Sequence, residues 1–247
     1  MNILAFIPSR YGSSRFPGKP LAMIAGKPMI QHVCSCASNC QDVSDVYVAT
    51  DDERIYKCVE DFGGKAVMTK DKHPSGTDRI AEAVEKLGLS DEDIIVNIQG
   101  DQPVFEPSVI SEMVKPLIDD ETIPMSTLKY RINNPAEIDN SNIVKVVTDI
   151  NDYAIYFSRS TIPFYREDSS DGQYYKHLGF YAYRKEFILE FSRLPGGKLE
   201  SAEKLEQLRA IENGFKIKVI EAGSDSIEVD APEDVIKVEN LINSNSK

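Results

Sequence analysis

Short apolar runs alternate with segments of helical periodicity along the first half of the chain. The runs predict strands at residues 2–8, 45–50, 65–69 and 94–98. Between them, apolar side chains recur three or four residues apart and predict helices. These helical stripes consist of Met29, Ile30, Val33 and Ala37, of Ile55, Val59 and Phe62, and of Ile80, Val84 and Leu87. The alternation predicts a parallel sheet that is covered by helices on both faces.

The second half of the chain is less regular. It predicts strands at 124–130, 143–149, 178–184 and 216–221, and helices at 202–212 and 232–242. Loop-rich stretches flank two of these strands. We therefore expect one domain over residues 1–247, with a mixed sheet and an inserted, partly antiparallel lobe at about 124–184. Residues 243–247 are expected to form a disordered tail.

Composition narrows the class of protein. The chain has 247 residues, of which 41% are hydrophobic and 28% are charged, which is enough for one large α/β domain. It has no basic leader and no apolar run near the roughly 18 residues that a membrane helix needs, so we expect a soluble, cytoplasmic protein. A formal net charge of −12 argues against binding nucleic acid or an anionic membrane. An anionic ligand would then need a local cluster of Arg and Lys, and a metal ion.

Such a cluster follows the first predicted strand. The loop after this strand carries Arg10, Arg15 and Lys19, and no Asp or Glu precedes Asp42. Fixed cations and the backbone N–H groups of a Gly/Ser-rich loop are suited to a polyphosphate. The loop therefore predicts a nucleoside triphosphate site, although an exposed loop with solvated cations is the alternative.

This loop does not match the common nucleotide-binding motifs. Five residues separate Gly12 from Gly18, and Pro20 follows Lys19, whereas a P-loop has four residues between its glycines and Ser or Thr after its Lys. The G-x-G-x-x-G fingerprint of dinucleotide-binding proteins is also absent. The spacing excludes a P-loop and weakens the case for a dehydrogenase.

Polar residues follow several predicted strands at the edge where ligands bind in such sheets. Asp101 comes just after strand 94–98, and Asp230 lies where a strand leads into a helix that begins with Pro. Each could be an ordinary turn or capping residue, but together with a triphosphate they would make a plausible Mg²⁺ site. Ser75 and Thr77 could cap the next helix or contact a base or sugar.

The cysteines do not predict a metal centre. Cys34, Cys36 and Cys40 lie on one predicted helix and cannot converge on a single ion, and Cys58 lies on the next helix. We expect small thiols in a reducing compartment, with a redox or zinc role as the alternative.

Blocks of sequence along nearly the whole chain resemble those of one enzyme family. The longest, residues 7–21, is IPSRYGSSRFPGKPL, followed by GKPMI at 26–30. Further blocks are VATD at 48–51, SGTDR at 75–79, NIQGD at 97–101, YFSR at 156–159, HLG at 177–179, LEQLR at 205–209 and VD at 229–230. In this order they resemble the 3-deoxy-manno-octulosonate cytidylyltransferases, the CMP-Kdo synthetases.

The resemblance implies a fold and an activity. The fold would be α/β, a Rossmann-like three-layer nucleotidyltransferase fold with a mixed central sheet and an inserted dimerisation lobe. The activity would be activation of a sugar acid, Kdo or its 8-amino-3,8-dideoxy analogue, by CTP and Mg²⁺ for lipopolysaccharide biosynthesis. The product would be the CMP-sugar, with release of pyrophosphate. The family also implies a homodimer.

The resemblance also assigns roles to residues. Nucleotide binding would involve Pro8, Ser9, Arg10, Arg15, Lys19, Ser75, Gly76, Gln99 and Asp101. Contacts to the sugar acid would come from Arg79, Gln99, Arg159, His177, Glu206 and Gln207. The catalytic residues would be Arg10, Lys19, Asp101 and Asp230, of which the two aspartates would bind Mg²⁺. Arg159 is the expected partner of the sugar carboxylate because its guanidinium is a planar fork. Without the family, Arg159 and His177 would be read as structural residues, and Glu206 and Gln207 as solvated helix positions.

Two departures from the family pattern bear on the sugar. Gln102 stands where the family usually has Glu, and the segment 200–204 lacks an expected His. We expect an altered sugar pocket and weaker activity on Kdo than on the 8-amino analogue. Two other classes stay open, namely a metal-dependent glycosyltransferase that uses a nucleotide sugar and a noncatalytic nucleotide sensor.

Overall fold

A computed structural model describes residues 1–12, 16–167 and 172–245. Its strands are β1 (Ile3–Ser9), β2 (Met23–Ile24), β3 (Lys27–Pro28), β4 (Asp45–Thr50), β5 (Lys65–Met68), β6 (Ile94–Asn97), β7 (Met125–Arg131), β8 (Lys145–Thr148), β9 (Ala154–Ser158), β10 (Tyr175–Arg184) and β11 (Lys218–Glu221). Its α-helices are α1 (Met29–Ser38), α2 (Glu53–Asp61), α3 (Gly76–Leu87), α4 (Ser108–Asp119), α5 (Lys185–Phe191), α6 (Lys198–Glu203), α7 (Leu208–Glu212) and α8 (Pro232–Asn245). Short 3-10 helices lie at Lys19–Leu21 and Pro135–Glu137.

The central sheet is mixed, as the sequence predicts. Its strand order is β11-β7-β10-β6-β1-β4-β5. The half formed by β6, β1, β4 and β5 is parallel, and β11 also pairs in parallel with β7. Only β10 runs antiparallel to both of its neighbours on this path, β6 and β7. The carboxyl ends of β1 and β6 therefore lie side by side at one edge of the sheet.

Helices cover both faces of the sheet and make three layers. In β1, Ile3, Ala5 and Ile7 pack in one core with α1, α2 and α4. Leu4 and Phe6 point to the opposite face and pack in a second core with α3, α5 and α7. Successive side chains of a strand point to opposite faces, so an uninterrupted apolar strand such as β1 can supply both cores. The predicted three-layer α/β fold is confirmed.

Capping residues begin two of the helices at the ligand edge. The Asp52 side chain accepts a hydrogen bond from the backbone N–H of Arg54 and caps α2. The Ser75 hydroxyl accepts from the backbone N–H of Asp78 and caps α3. Each cap satisfies one of the unpaired N–H groups at a helix start. The capping role that the sequence left open for Ser75 is therefore confirmed.

The predicted helix over residues 202–212 is wrong. The chain instead forms α6 and α7, separated at Lys204, whose φ of 56° is left-handed. Arg209 on α7 pairs with Glu200 on α6 at 2.6 Å between Nη2 and Oε1. This contact folds the two short helices against each other, which a continuous helix would prevent.

The predicted disordered tail also starts too early, because α8 continues to Asn245. Val238 and Ile242 of α8 belong to a small apolar cluster with Ile24 and Met29. The carboxylate of Glu239 accepts a hydrogen bond from the backbone N–H of Ala25, at 2.8 Å from Oε1. These contacts hold α8 against the β2–β3 hairpin, and tertiary packing of this kind stabilises a helix beyond its local propensity.

The segment expected to form an inserted lobe contributes two strands to the central sheet and two strands to an antiparallel pair beside it. Its first and last strands, β7 and β10, are members of the central sheet. Between them, β8 and β9 form an antiparallel pair that joins the sheet through the Lys145–Lys176 pairing of β8 with β10. The sequence analysis did not predict β9, or the helices α4 and α5.

Two of the cysteines, Cys34 and Cys40, are buried, and Cys36 and Cys58 are half-buried. All four cysteines are free, and burial raises the pKa of Cys34 to about 12. Such a thiol carries little of the reactive thiolate form near neutral pH. In the part of the chain that the structure describes, no helix combines the length and apolar character needed to cross a membrane.

Candidate active site

A cleft of about 300 Å³ opens where β1 and β6 end. Its walls come from the segments that follow β1, β5 and β6, which are the carboxyl ends of parallel strands. The predicted site residues in these walls are Pro8, Ser9, Arg10, Lys19, Ser75, Gly76, Arg79, Gln99 and Asp101. The structure therefore brings together the predicted nucleotide-binding residues that it describes, whereas Arg15, also predicted, lies outside the described residues.

Two glycines let the walls of the cleft approach each other. A Cβ on Gly76 would lie 3.1 Å from Cγ of Pro8, and a Cβ on Gly100 would lie 3.0 Å from Oγ of Ser9. The Ser9 hydroxyl is 4% exposed and has no hydrogen-bond partner among the described residues. A buried hydroxyl of this kind favours a polar ligand in the cleft, because leaving it unpaired is costly.

Three carboxylates meet beside this cleft. Asp101, Glu228 and Asp230 each offer an oxygen, and these oxygens lie within 4.8 Å of one another. The backbone N–H of Val229 donates to the carbonyl of Asp101 at 2.8 Å, and that of Ile227 donates to Val104 at 3.1 Å. These bonds hold two segments from distant parts of the sequence side by side. Carboxylate oxygens are the ligands that Mg²⁺ prefers, so the donor set fits this ion.

Glu228 is a residue that the sequence analysis missed. In extended backbone, residues two apart point to the same side. Glu228 and Asp230 flank Val229, which is fully buried, so the pattern of two acids around an apolar residue was the available signal.

Lys19 lies within the carboxylate cluster. Its Nζ donates to Oδ2 of Asp101 and to the carbonyl of Val229, each at 2.8 Å, and lies 4.0 Å from Oδ1 of Asp230. The ammonium therefore links the loop that follows β1 to both predicted metal ligands. It offsets part of the repulsion among three like charges.

His73 is a second residue to which the sequence analysis assigned no role. It lines the cleft, and its Nε2 lies 2.5 Å from Oε2 of Glu82. Glu82 also accepts from the backbone N–H of Lys70, and hydrogen bonds from Lys86 and other groups lower its pKa to about 2 against the effect of burial. An ionised Glu82 fixes the orientation of the His73 ring at the wall of the cleft.

Arg79 reaches the cleft from α3 but is already well paired. Its Nη1 donates to Oγ1 of Thr69 at 2.6 Å and to the carbonyl of Lys70 at 3.2 Å. Its Nη2 lies 3.4 Å from the carboxylate of Asp51. With 5% of the residue exposed, Arg79 presents only a small part of itself to a ligand.

Four residues predicted to face the sugar lie elsewhere. Within the described ranges, the wall of the 300 Å³ cleft does not include Arg159, His177, Glu206 or Gln207. Arg159 donates from Nε to the carbonyl of Glu203 at 2.8 Å and from Nη1 to that of Ser141 at 3.0 Å.

Glu206 and Gln207 occupy the turn between α6 and α7. The hydroxyl of Thr77 donates to Oε1 of Glu206, and burial raises the pKa of this carboxyl. Gln207 is 3% exposed, and its Nε2 has no hydrogen-bond partner among the described residues. Both side chains face inward, which contradicts the alternative that they are solvated helix positions.

The ring of His177 has a defined hydrogen-bond pattern. The Thr127 hydroxyl donates to the carbonyl of Phe180 at 2.5 Å and lies 2.9 Å from Nε2 of His177. Because a hydroxyl has a single hydrogen, Nε2 must donate to Thr127, and Nδ1 is then the acceptor of the neutral ring. Desolvation by burial lowers the pKa of His177 to about 3. The ring therefore stays neutral near pH 7.

The pairing of β10 with β7 is interrupted next to His177. The register of β10 against β7 shifts between His177 and Tyr181, and Gly179 adopts a φ of 74°. This conformation is accessible to glycine at little cost. The exposed carbonyl of Gly179 accepts from Nε2 of Gln99 at 3.1 Å, which connects β10 to the wall of the cleft.

Gln102 points away from the carboxylates. Its Nε2 donates to the carbonyl of Leu178 at 2.9 Å and to the hydroxyl of Ser226 at 3.4 Å, and the residue is 5% exposed. The amide thus joins β10 to the segment that carries Glu228 and Asp230. A carboxylate here would have to be protonated to make the same bond to a carbonyl.

The low pKa of His177 predicts a loss of stability in acid. Below the ordinary pKa of about 6.5 the unfolded chain binds a proton that the native ring does not bind, until the pH approaches 3. Lowering the pH from about 7 to about 4.5 should reduce the free energy of unfolding of the parent protein. We expect this reduction to be about 2 kcal/mol smaller in His177→Gln, which has no imidazole to protonate at this position. Urea denaturation at both pH values measures this difference. An NMR titration in which native His177 protonates near pH 6.5 would contradict it.

Comparisons with known proteins agree with this geometry. The sequence profile of the family described as "Cytidylyltransferase" matches residues 4–218. A 3-deoxy-manno-octulosonate cytidylyltransferase of Syntrophus aciditrophicus (strain SB) is 55% identical over 97% of both chains. An 8-amino-3,8-dideoxy-manno-octulosonate cytidylyltransferase of Shewanella sp. (strain W3-18-1) is also 55% identical, over 97% of this chain and 98% of the relative.

A solved structure extends the similarity to three dimensions. A CMP:2-keto-3-deoxy-manno-octonic acid synthetase complexed with CTP superposes with a TM-score of 0.92 at 42% identity, over 99% of this chain and 100% of the other. The fold alone is shared with a 4-diphosphocytidyl-2C-methyl-D-erythritol synthase from Anaerococcus prevotii DSM 20548, at a TM-score of 0.62 and 13% identity. With its matching fold and a cleft at the carboxyl ends of β1 and β6, this chain belongs to the cytidylyltransferase family.

Proposed function

We propose that this protein activates a 3-deoxy-octulosonate sugar acid with CTP, giving the CMP-sugar and pyrophosphate. The observation that carries the proposal is the position of Lys19 and Asp101 in one cleft, with Asp230 4.0 Å from the Lys19 ammonium. The family and the names of its relatives support CTP as the nucleotide and a sugar acid as the acceptor.

The reaction is a direct nucleotidyl transfer. The anomeric oxygen of the sugar acid forms a bond to the α-phosphorus of CTP, while the bond between this phosphorus and the bridging oxygen to the β-phosphate breaks. The hydroxyl proton is released, and pyrophosphate leaves. No covalent enzyme intermediate is needed, so catalysis rests on positioning and on stabilising charge. The geometry assigns no general base.

The phosphate side of the cleft suits the triphosphate. Arg10 and Lys19 line the cleft and supply cations. The family resemblance implies that Arg15 is a third cation for the phosphates. The start of α3, with Ser75 and Gly76, brings the positive end of a helix dipole to the same wall. Pro8, Ser9 and Gln99 complete the proposed nucleotide contacts.

We propose that Mg²⁺ is held by Asp101 and Asp230, and that Glu228 lies close enough to join them. When bound, this ion would offset charge on the phosphate oxygens. Lys19 already bonds to Asp101, and in the reaction its ammonium would stabilise the triphosphate as well.

The proposed sugar contacts are Arg79, Gln99, Arg159, His177, Glu206 and Gln207. His177 offers Nδ1 as an acceptor for a sugar hydroxyl or ammonium, because Nε2 is engaged by Thr127. Gln207 offers a buried amide N–H pair. Arg159 keeps a guanidinium whose Nε and Nη1 are held by backbone carbonyls, which orients the fork for a carboxylate.

The segment 200–204, which differs from the family pattern, bears on the choice of sugar. It supplies Glu203, whose carboxylate accepts from Ser158 at 2.6 Å and from the backbone N–H of Arg159 at 3.0 Å. Acidic groups beside the sugar contacts favour an added ammonium, so we propose faster turnover of the 8-amino analogue than of Kdo. The amide of Gln102, the other departure from the family pattern, bonds to Leu178, the residue after His177, and to Ser226.

A pyrophosphate-release assay with CTP and both sugars tests the function. We expect release that depends on CTP and on a sugar acid, with a larger kcat/KM for the 8-amino sugar. A clear preference for Kdo would overturn the choice of sugar but leave the reaction intact. Release of nucleoside diphosphate from a finished nucleotide sugar would indicate a glycosyltransferase, and CTP binding without release would indicate a sensor.

The metal assignment predicts the effect of single substitutions. Asp101→Asn and Asp230→Asn should each lower kcat by at least about 100-fold, because each removes a charged ligand from the Mg²⁺ that offsets the triphosphate. Asp119→Asn, at an exposed end of α4, is the matched control and should keep full turnover. Circular dichroism should show an unchanged fold. Undiminished turnover in Asp230→Asn would disprove the shared site.

We also propose a homodimer formed through the segment around β8 and β9. Several large apolar side chains are exposed there, including Ile150 at 99%, Ile155 at 58% and Phe164 at 86%. Large apolar side chains exposed in one segment favour an interface with another protein. Light scattering at micromolar protein should give twice the chain mass of 27.6 kDa, and a mass equal to one chain would contradict the dimer.

We propose that the reaction serves lipopolysaccharide biosynthesis, as the resemblance implies, and that the protein is cytoplasmic. We propose no nucleic-acid or membrane partner, because a net charge of −12 disfavours both surfaces.

A further inference from the structure

The segment from residue 222 to residue 231 connects β11 to α8 and carries Glu228 and Asp230. It contains little regular secondary structure, and its position depends on separate contacts. At its start, Gly223 N–H donates to the carboxylate of Glu112 at 3.0 Å. Near its end, Val229 N–H bonds to Asp101, as described above.

One side chain holds the middle of this segment. Nζ of Lys176 lies 2.7 Å from Oδ2 of Asp225 and 2.9 Å from Oε2 of Glu137. The Lys176 side chain is 11% exposed, and its ammonium lies 5.9 Å from the centre of the Tyr130 ring. A nearly buried ammonium of this kind needs a carboxylate partner, because an unpaired charge would be strongly disfavoured.

Each carboxylate oxygen of Asp225 has its own partner, which fixes the orientation of this side chain. While Oδ2 of Asp225 accepts from Lys176, Oδ1 accepts from the backbone N–H of Ser226 at 2.9 Å. The hydroxyl of Ser226 in turn accepts from Gln102 at 3.4 Å. Asp225 is three residues before Glu228 and five before Asp230. The ion pair therefore fixes the backbone that leads directly to these carboxylates.

Lys176 also has a distinct position in the sheet. It lies on β10 immediately before His177 and pairs with Lys145 of β8. Its other carboxylate, Glu137, belongs to the 3-10 helix Pro135–Glu137, which is remote in sequence from the carboxylate segment. One ammonium thus connects β10, the 3-10 helix and the segment that carries Glu228 and Asp230.

We infer that Lys176 is a positioning residue that holds the carboxylates of the metal site in place through its ion pair with Asp225. This inference rests on the proposed function, in which Asp101 and Asp230 bind Mg²⁺. Mg²⁺ requires near-ideal octahedral geometry, so a small displacement of one carboxylate weakens its binding. Loss of groups that orient metal ligands lowers affinity by about 10- to 100-fold in other proteins.

The two partners of Lys176 provide a matched pair of variants. Asp225→Ala and Glu137→Ala each remove one carboxylate from the same ammonium, but only the first releases the segment that carries Glu228 and Asp230. We expect Asp225→Ala to weaken metal affinity by about tenfold, and Glu137→Ala to change it by less than about twofold. Lys176→Met should resemble Asp225→Ala, and Lys176→Arg should restore most of the affinity.

Two measurements quantify the effect of each substitution on metal binding. The first is the affinity of the nucleotide-free protein for Mn²⁺, which is measured by electron paramagnetic resonance. The second is the Mg²⁺ concentration that gives half-maximal turnover at saturating CTP and sugar. Equal effects of Asp225→Ala and Glu137→Ala in both, or no effect of Asp225→Ala, would overturn the inference. Thermal unfolding of each variant identifies any common loss of stability.

Asp230→Asn, titrated alongside, separates this inference from the proposed function. If Asp230→Asn loses metal binding while Asp225→Ala does not, only the role of Lys176 fails. If Asp230→Asn binds metal like the parent protein, the proposed metal site itself fails, and the role of Lys176 fails with it.

Discussion

The ammonium of Lys19 balances the charges on which the site depends. Two like charges 4 Å apart repel by about 4 kcal/mol at the effective dielectric near a protein surface. Asp101, Glu228 and Asp230 lie within 4.8 Å of one another in a chain of net charge −12, so they need a cation nearby. Lys19 meets this need from the loop that follows β1, because its ammonium lies 2.8 Å from the carboxylate of Asp101 and 4.0 Å from that of Asp230. The electrostatics that hold the cluster together are also those that would attract a divalent cation and then a triphosphate.

Local sequence predicts the parts of the fold whose neighbours are close along the chain. The apolar run of β1 and the stripe of α1 both predict buried elements, and both are buried in the structure. Ser75 could be identified as a capping residue because its partner is only three positions away. The position of the cleft follows from the same logic, since the strand ends in a parallel sheet share one edge.

The rest depends on contacts between distant residues. The break between α6 and α7 is stabilised by the pairing of Arg209 with Glu200, and the length of α8 by packing on Ile24 and Met29. Neither interaction has a local pattern. Gln102 illustrates the same limit at the site, because its neighbours in sequence place it beside Asp101, whereas its amide bonds to Leu178. The direction of a side chain could not be inferred from its position in a motif.

The order of the site along the chain has a consequence for synthesis of the protein. Lys19 and Asp101 emerge from the ribosome early, but the segment that brings Glu228 and Asp230 to them follows β11, close to the last helix. Until that segment is released, the ammonium of Lys19 has only Asp101, one of the two carboxylates that lie within 4.0 Å of it. The nascent chain can thus complete most of its sheet while the charge cluster is still open, and the site closes only after the segment that follows β11 has been made.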